Sequence, residues 1–182
     1  MPKDPEASHL YWPDARTRNA AASADATRGL LPWSWAVERL DKSHNYWVAT
    51  ARPNDRPHLM IVWGIWREGA FWFTTGRGTR KARNLAASPY CSIATEEADE
   101  AVIVEGEARE IADAAARRAF VPVYNAKYGG DIEAMIGTSE GSAGPAGSAL
   151  WRVEPRAVFG LDEHAEDFVE AATRWSFPPN TR

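Results

Sequence analysis

The amino-acid sequence predicts a mostly β domain, a small closed or split barrel of six strands with few, peripheral helices. Short segments of alternating or strongly apolar residues, bounded by turn residues, are typical of strands. The first three of these segments are joined by short connections, as in a meander. Helical periodicity is limited to short stretches, which favours helices at the periphery. A β-sandwich is the competing architecture.

One domain accounts for most of the 182 residues, a length that buries enough apolar surface to fold without metals or disulfides. The first residues show no sustained periodicity and are rich in Ala, Asp, Arg and Pro. We therefore predict an extended N-terminal arm over 1–30, the barrel domain over 31–177 and a tail over 178–182.

The first element of the domain is a predicted helix from Leu31 to His44. Its apolar residues recur at helical spacing, at Trp33, Val37 and Leu40, and Pro32 suits the first turn. After this helix the helical spacing of apolar residues ends and the first predicted strand begins.

Three strands then follow as a meander. They are predicted over Tyr46 to Thr50, His58 to Trp66, and Ala70 to Thr75. Turn residues join them, namely Arg52 to Pro57 and the tripeptide Arg67-Glu68-Gly69.

The second half of the chain predicts three more strands and four short helices. The strands cover Cys91 to Thr95, Ala101 to Ile111, and Leu150 to Leu161, the last interrupted at Pro155. The helices are one capped by Thr79, one capped by Asp113 and bent at Pro122, a short piece from Asp131 to Ile136, and an acidic one from Asp162 to Ala172.

Charge and composition exclude several function classes. The 21 Lys and Arg residues against 25 Asp and Glu give a net charge of −4, so a primary nucleic-acid role is not expected. The four histidines lack metal-ligand spacing. A single cysteine, Cys91, and the absence of a long apolar run or a signal-peptide pattern predict a cytoplasmic protein without a membrane span.

The segment from Phe73 to Leu85 carries the strongest functional signal. A strand ends, Gly76 and Gly78 allow a tight turn, and a helix begins at Thr79 with Arg80 and Lys81 in its first turn. Cations at a helix N-terminus oppose the helix dipole unless an anion is bound. The pattern therefore predicts a phosphate site, and a solvated basic helix start is the alternative.

This segment resembles the cofactor segment of the pyridoxamine 5'-phosphate oxidase-like, flavin-binding split-barrel family. In that family a strand ending in aromatic–Thr leads through Gly-Ser/Thr-Arg-Lys into a helix, and Thr75, Gly78, Thr79, Arg80 and Lys81 match this pattern. The stretch Lys81-Ala82-Arg83-Asn84-Leu85, followed by Ser88-Pro89, also resembles the actinobacterial branch that includes users of a deazaflavin coenzyme (F-420).

The resemblance implies a six-stranded split β-barrel that forms a homodimer and binds FMN non-covalently at the dimer interface. It implies that Thr79, Arg80 and Lys81 bind the phosphate and that the strand from His58 to Trp63 lies along the flavin ring. The implied cofactor-binding residues are His58, Met60, Ile61, Val62, Trp63, Thr74, Thr75, Thr79, Arg80, Lys81 and, from the partner chain, Arg174 and Trp175.

An FMN-dependent oxidoreductase acting on a small molecule is thus the favoured function. The C-terminal Arg-x-His motif of the true oxidases is absent, since the chain continues as Arg174-Trp175-Ser176, so pyridoxamine phosphate is not the expected substrate. The alternatives are a reductase that uses the deazaflavin F-420, whose acidic tail would suit Arg77 and Arg83, a non-catalytic flavin or haem carrier, and an aromatic-lined barrel without a phosphate site.

The positions of the nine tryptophans bear on whether the protein binds a flavin. Trp63 and Trp66 are three positions apart and face opposite sides of a regular strand, so at least one is expected outside the core. The resemblance places Trp63 and Trp175 near a flavin, which predicts that flavin binding quenches the intrinsic fluorescence.

Overall fold

Nine antiparallel strands and five helices form the part of the chain that the computed structural model describes, residues 4–10, 28–137 and 147–178. The strands are β1 (Glu6–His9), β2 (Tyr46–Ala51), β3 (Pro57–Val62), β4 (Gly64–Arg67), β5 (Ala70–Gly76), β6 (Tyr90–Thr95), β7 (Glu100–Glu110), β8 (Ser148–Asp162) and β9 (Thr173–Ser176). The helices are α1 (Trp33–Lys42), α2 (Arg80–Ala87), α3 (Ala114–Tyr128), α4 (Glu133–Ile136) and α5 (Phe168–Ala171).

The pairing of the strands closes a barrel. The order β5-β8-β7-β6-β2-β3 is hydrogen-bonded throughout, and β4, which follows β3 directly, pairs with β5. Counting β3 and β4 as one broken strand, the ring contains the six strands predicted from the sequence. The mostly β split barrel with peripheral helices is confirmed, and the sandwich alternative is wrong.

The predicted strand from His58 to Trp66 is broken at Trp63, and the cause is tertiary. A Cβ added to Gly64 would lie 2.3 Å from Cζ of Phe71 and 2.7 Å from the carbonyl oxygen of Trp72. The chain therefore approaches β5 so closely that only glycine fits. Before the break the chain pairs with β2, and after it with β5.

Two short strands outside the ring were not predicted. β9 pairs with the second half of β8, over 157–160, along the same edge that pairs with β5 over 148–153. β1 pairs with β9, so part of the predicted N-terminal arm joins the sheet. Residues 1–3 and 11–27 of that arm, the Gly-rich segment 138–146 and residues 179–182 lie outside the described residues.

Two sequence expectations need correction in detail. β8 is not interrupted at Pro155; instead the register shifts there, since Glu105 pairs with Ala157 and Gly106 with Pro155. A bulge accommodates a proline because the proline has no amide hydrogen for the ladder. The predicted acidic helix from Asp162 to Ala172 is limited to α5.

Two apolar cores hold the fold together. The main one fills the barrel and includes Tyr46, Phe71, Phe73 and Trp175. A second core, which includes Trp72 and Phe120, lies where α3 and α4 cover the outer face of β4, β5 and the start of β8. None of the described helices is long and apolar enough to cross a membrane.

Candidate functional site

The predicted phosphate site forms a compact cradle where β5 ends and α2 begins. Thr79 caps α2, because its hydroxyl accepts a hydrogen bond from the amide of Ala82 at 3.3 Å. The hydroxyls of Thr75 and Thr79 lie 3.1 Å apart, and the amide of Thr79 donates to the carbonyl of Gly76 at 3.0 Å. These bonds fix the tight turn and the orientation of the first turn of α2.

The first turn of α2 contains two cations and no acidic residue. Neither Arg80 nor Lys81 has a side-chain partner among the described residues, and partial burial lowers the pKa of Lys81. Two positive side chains at the positive end of a helix dipole are unfavourable without an anion. The cradle, which we define as Thr75, Thr79, Arg80 and Lys81, therefore fits a phosphate group.

Two neighbouring arginines, Arg77 and Arg83, donate hydrogen bonds to backbone carbonyls and are not part of the cradle. Arg77 donates to the carbonyl of Ser148 at 2.9 Å and forms an ion pair with Glu110. Arg83 donates to the carbonyl of Gly78 at 2.7 Å, although its side chain is exposed. Of the two, Arg83 stays the more accessible to an acidic ligand.

β3 forms a ledge beside the cradle. Of the strands that the structure describes, it pairs only with β2, and it also lies against β5 and α2. Its residues alternate, so that His58, Met60 and Val62 share the face of the buried residues of β2. Met60 is nevertheless 47% exposed. The inner face of β3 is thus open next to the cradle, and its free edge offers backbone donors and acceptors.

Buried hydrogen bonds tie this ledge to α2. Asn84, fully buried in α2, donates from Nδ2 to Oγ1 of Thr50 at 2.9 Å, and that hydroxyl donates to the carbonyl of His58 at 3.5 Å. Sequence reasoning gave Asn84 no role of its own. An asparagine inside a helix is a weak signal for such a tertiary bond, because its helix propensity is low.

Thr74 and Thr75, both predicted to bind the cofactor, point to opposite faces of β5. Thr75 is buried and lies on the barrel side with Phe73, within reach of Thr79. Thr74 pairs with Leu150 on the face that α3 and α4 cover. Only Thr75 therefore belongs to the cradle in this structure.

Trp63 is held at the end of the ledge by aromatic contacts. Its ring stacks on Tyr128 with centroids 4.9 Å apart and planes 7° apart, and His44 meets it edge-on. Its Nε1 donates to Oδ1 of Asn45 at 3.1 Å. The indole is 48% exposed, whereas Trp66 is in the core, which confirms that the two face different environments.

Trp175, predicted to contribute to the cofactor site from a partner chain, lies in the core of its own chain. Trp175 is 1% exposed and packs edge-on against Trp33 in the main core. A Cβ added to Gly160 would lie 2.7 Å from its ring, so the indole has no free face there. Its burial gives it a packing role, and a contact with a cofactor of a partner chain stays a prediction.

Arg174 does not join the cradle of its own chain. It is exposed on β9 opposite Phe159, whereas the cradle lies beside Ser148 at the other end of β8. The 11 intervening positions correspond to roughly 36 Å along a strand. A contribution of Arg174 from a partner chain stays a prediction.

The outer face of β2, β3 and β6 carries an exposed apolar patch. Trp47 lies opposite Ile61 in the register, and Leu59 is the next outward residue on β3. Tyr90 begins β6, which also pairs with β2. We call Trp47, Leu59, Ile61 and Tyr90 the outer patch; all four are at least 40% exposed. Ile61 thus faces away from the inner side of the ledge.

Comparison with known proteins identifies a family. Residues 36–162 match the family model described as pyridoxamine 5'-phosphate oxidase. This range contains the ledge, the cradle and all six strands of the barrel ring. Comparison with curated protein sequences gave no significant match.

Several solved structures share the fold. An F420 reductase is 24% identical, with a TM-score of 0.51 over 66% of this chain and 93% of that one. A conserved hypothetical protein from Mycobacterium tuberculosis is 21% identical, with a TM-score of 0.63 over 74% and 87% of the two chains. The heme storage protein HutZ from Vibrio cholerae is 18% identical, with a TM-score of 0.55 over 70% and 94%. At these identities the likeness establishes the fold.

Proposed function

Because the chain belongs to the pyridoxamine 5'-phosphate oxidase family, we propose that it is an oxidoreductase that binds FMN non-covalently at a dimer interface. The observation that carries the proposal is the cradle, where Arg80 and Lys81 stand without partners among the described residues at a helix start that lacks acidic groups. A phosphate monoester supplies the negative charge that this arrangement lacks.

The residues around the cradle fit the rest of a flavin. The inner side of the ledge offers the apolar surface of Met60 and the free backbone edge of β3, which suit a flat heterocycle with donors and acceptors along one rim. A bound flavin supplies the hydride or electron transfer. The chain's residues bind the phosphate, orient the ring and exclude water from its inner face.

Among the described residues, no two side chains near the cradle are arranged as a catalytic acid–nucleophile pair. Cys91 is buried, and burial raises the pKa of its thiol to about 12, so it is a core residue and not a nucleophile. The proposed redox role requires no catalytic acid–nucleophile pair. We also propose a cytoplasmic location, and a small-molecule substrate other than pyridoxamine phosphate, because the C-terminal substrate motif of the oxidases is absent.

The test of the proposal is the absorption and fluorescence of the purified protein with added FMN. We expect a bound flavin spectrum and strong quenching of tryptophan emission, because Trp63 lies half-exposed at the end of the ledge. Riboflavin, which lacks the phosphate, is the matched control and should quench only at higher concentration. Unchanged tryptophan emission at saturating FMN would contradict the proposal.

A deazaflavin is the second candidate cofactor, and Arg83 is the observation that favours it. This exposed cation lies one helical turn beyond Thr79 and can meet negative charges beyond a single phosphate. The fold likeness to an F420 reductase agrees with it. A competition experiment between FMN and the deazaflavin, followed by the quenching of tryptophan emission, shows which of the two binds more tightly. A non-catalytic flavin or haem carrier would instead bind its ligand tightly and show no turnover with any reductant.

The outer patch supports the homodimer. Four large apolar side chains on adjacent strands expose a surface that a stable monomer rarely leaves in water. A second copy of the same chain would cover it by two-fold symmetry, with the patch meeting itself. Two of its residues, Leu59 and Ile61, lie on β3, the strand that forms the ledge, so the cradle of each chain would be near the interface.

Replacing Ile61 by aspartate should convert the dimer into monomers. A charge buried at a self-complementary interface appears twice and is left without a partner on either side. Sedimentation velocity at micromolar protein measures the result. Val123→Asp, at an exposed apolar position on α3 outside the patch, is the matched control and should stay dimeric. An Ile61→Asp protein that sediments as a dimer would place the interface elsewhere.

A further inference from the structure

His58 lies between two positively charged segments. The β2–β3 turn contains Arg52, and the start of α2 contains Arg80 and Lys81. Partial burial, and then the charges of these three side chains, lower the pKa of His58. The charges that lower the pKa of His58 are thus all positive. In the protein alone they favour the neutral form of the imidazole.

The position of His58 relative to the cradle is fixed by buried bonds. Its Cα pairs with that of Thr50, so the two side chains share the inner face. Thr50 is bonded both to the His58 carbonyl and to Asn84 of α2. These bonds, together with the contact of α2 with β3, hold the strand that presents His58 beside the helix that presents Arg80 and Lys81.

We propose that His58 is a proton acceptor beside the cradle: when a phosphate monoester binds in the cradle, a proton from solvent passes to the imidazole ring. This inference rests on the proposed function, which places the phosphate of FMN in the cradle. At neutral pH such a monoester carries close to two negative charges. These charges offset the cations of Arg80 and Lys81 and favour the imidazolium form. The ring then contributes a further positive charge to the bound phosphate.

The coupling makes His58 sensitive to the charge of the ligand. A monoester such as that of FMN has two charges, a phosphodiester has one, and riboflavin has none. The proton is taken up most completely with the monoester, so the affinity for FMN falls as the pH rises above neutral. This dependence favours cofactors that end in phosphate over those whose phosphate continues into a tail.

Proton NMR of the imidazole rings tests the proposal on the full chain. The pH titration is recorded in a phosphate-free buffer for the protein alone, with inorganic phosphate and with FMN. The His58→Gln variant identifies the His58 signal by its loss. His164, which lies 3.2 Å from Asp99 on another part of the surface, is the internal reference. In parallel, the dissociation constant of FMN is measured against pH for the wild type, His58→Gln and His164→Gln.

We expect the His58 midpoint to move to a pH about one unit higher with either ligand, while the His164 midpoint does not move. The dissociation constant of FMN should rise with pH, by at most about tenfold per unit, in the wild type and in His164→Gln, and more weakly in His58→Gln.

The outcomes separate this inference from the proposed function. If FMN binds and the His58 midpoint stays in place, the proton coupling is wrong while the flavin assignment stands. If inorganic phosphate moves the midpoint but FMN does not bind, the coupling stands and the flavin assignment is wrong. If neither ligand affects His58 and FMN does not bind, both are wrong.

Discussion

Replacing Arg80 and Lys81 together by alanine should weaken FMN binding by about 10²- to 10⁴-fold. Each side chain is expected to make a charge-assisted hydrogen bond to the phosphate, worth about 1.5–3 kcal/mol, and 1.4 kcal/mol corresponds to tenfold in affinity. Fluorescence titration with FMN measures the loss. Riboflavin binding should change little, because the riboflavin molecule lacks the group that the two cations hold.

The same double variant should fold at least as well as the wild type without ligand. Both cations lie in the first turn of α2, where they oppose the helix dipole, so removing them relieves a repulsion of about 0.3–1 kcal/mol each at most. Lys42→Ala/Arg118→Ala removes two exposed cations from α1 and α3 and controls for net charge. An Arg80→Ala/Lys81→Ala protein that retains FMN like this control would exclude the cradle as the phosphate site.

Replacing Trp175 by alanine should lower the free energy of unfolding by about 3–5 kcal/mol, the usual range for deleting a large buried aromatic side chain. The indole is fully buried between Trp33 and Gly160, so its removal leaves a cavity that neighbours on β8 and α1 cannot fill. Urea denaturation measures the loss. The FMN affinity of the folded fraction should be unchanged, because the indole does not line the cradle or the ledge.

The Trp47→Ala variant, at an exposed tryptophan, is the comparison for Trp175→Ala. Trp47 belongs to the outer patch, so its removal should shift the monomer–dimer equilibrium and leave the core of each chain intact. Trp175→Phe should recover part of the lost stability, since the ring refills part of the cavity. The interpretation of Trp175 as a core residue fails if Trp175→Ala unfolds like the wild type but binds FMN poorly.

The cradle was predictable from sequence because its determinants are local. A strand end, two glycines, a capping threonine and two cations follow one another within a few residues, and each has a direct physical effect on its neighbours. The six barrel strands were predictable for the same reason, since alternation and turn residues are read over short windows.

The rest depends on residues that are distant in sequence. The break at Trp63 follows from the approach of Phe71 to Gly64, and the stacking of Trp63 on Tyr128 joins β3 to the end of α3. The bond between Asn84 and Thr50 has the same origin. The burial of Trp175 was missed because β9 has only four residues, too few for a periodic pattern to indicate which face is inside.

The pairing of β1 with β9 has a consequence for biosynthesis. β1 is made before the other described strands, yet among them it pairs only with β9, which is the last of them to be made. Until then β1 has no ladder to join, and the edge of β8 over 157–160 is unprotected. An unpaired edge on a nascent chain is a site for association with other chains. The sheet is therefore complete only once β9 has been made, and slow translation near residue 170 would prolong the interval in which nascent chains can aggregate.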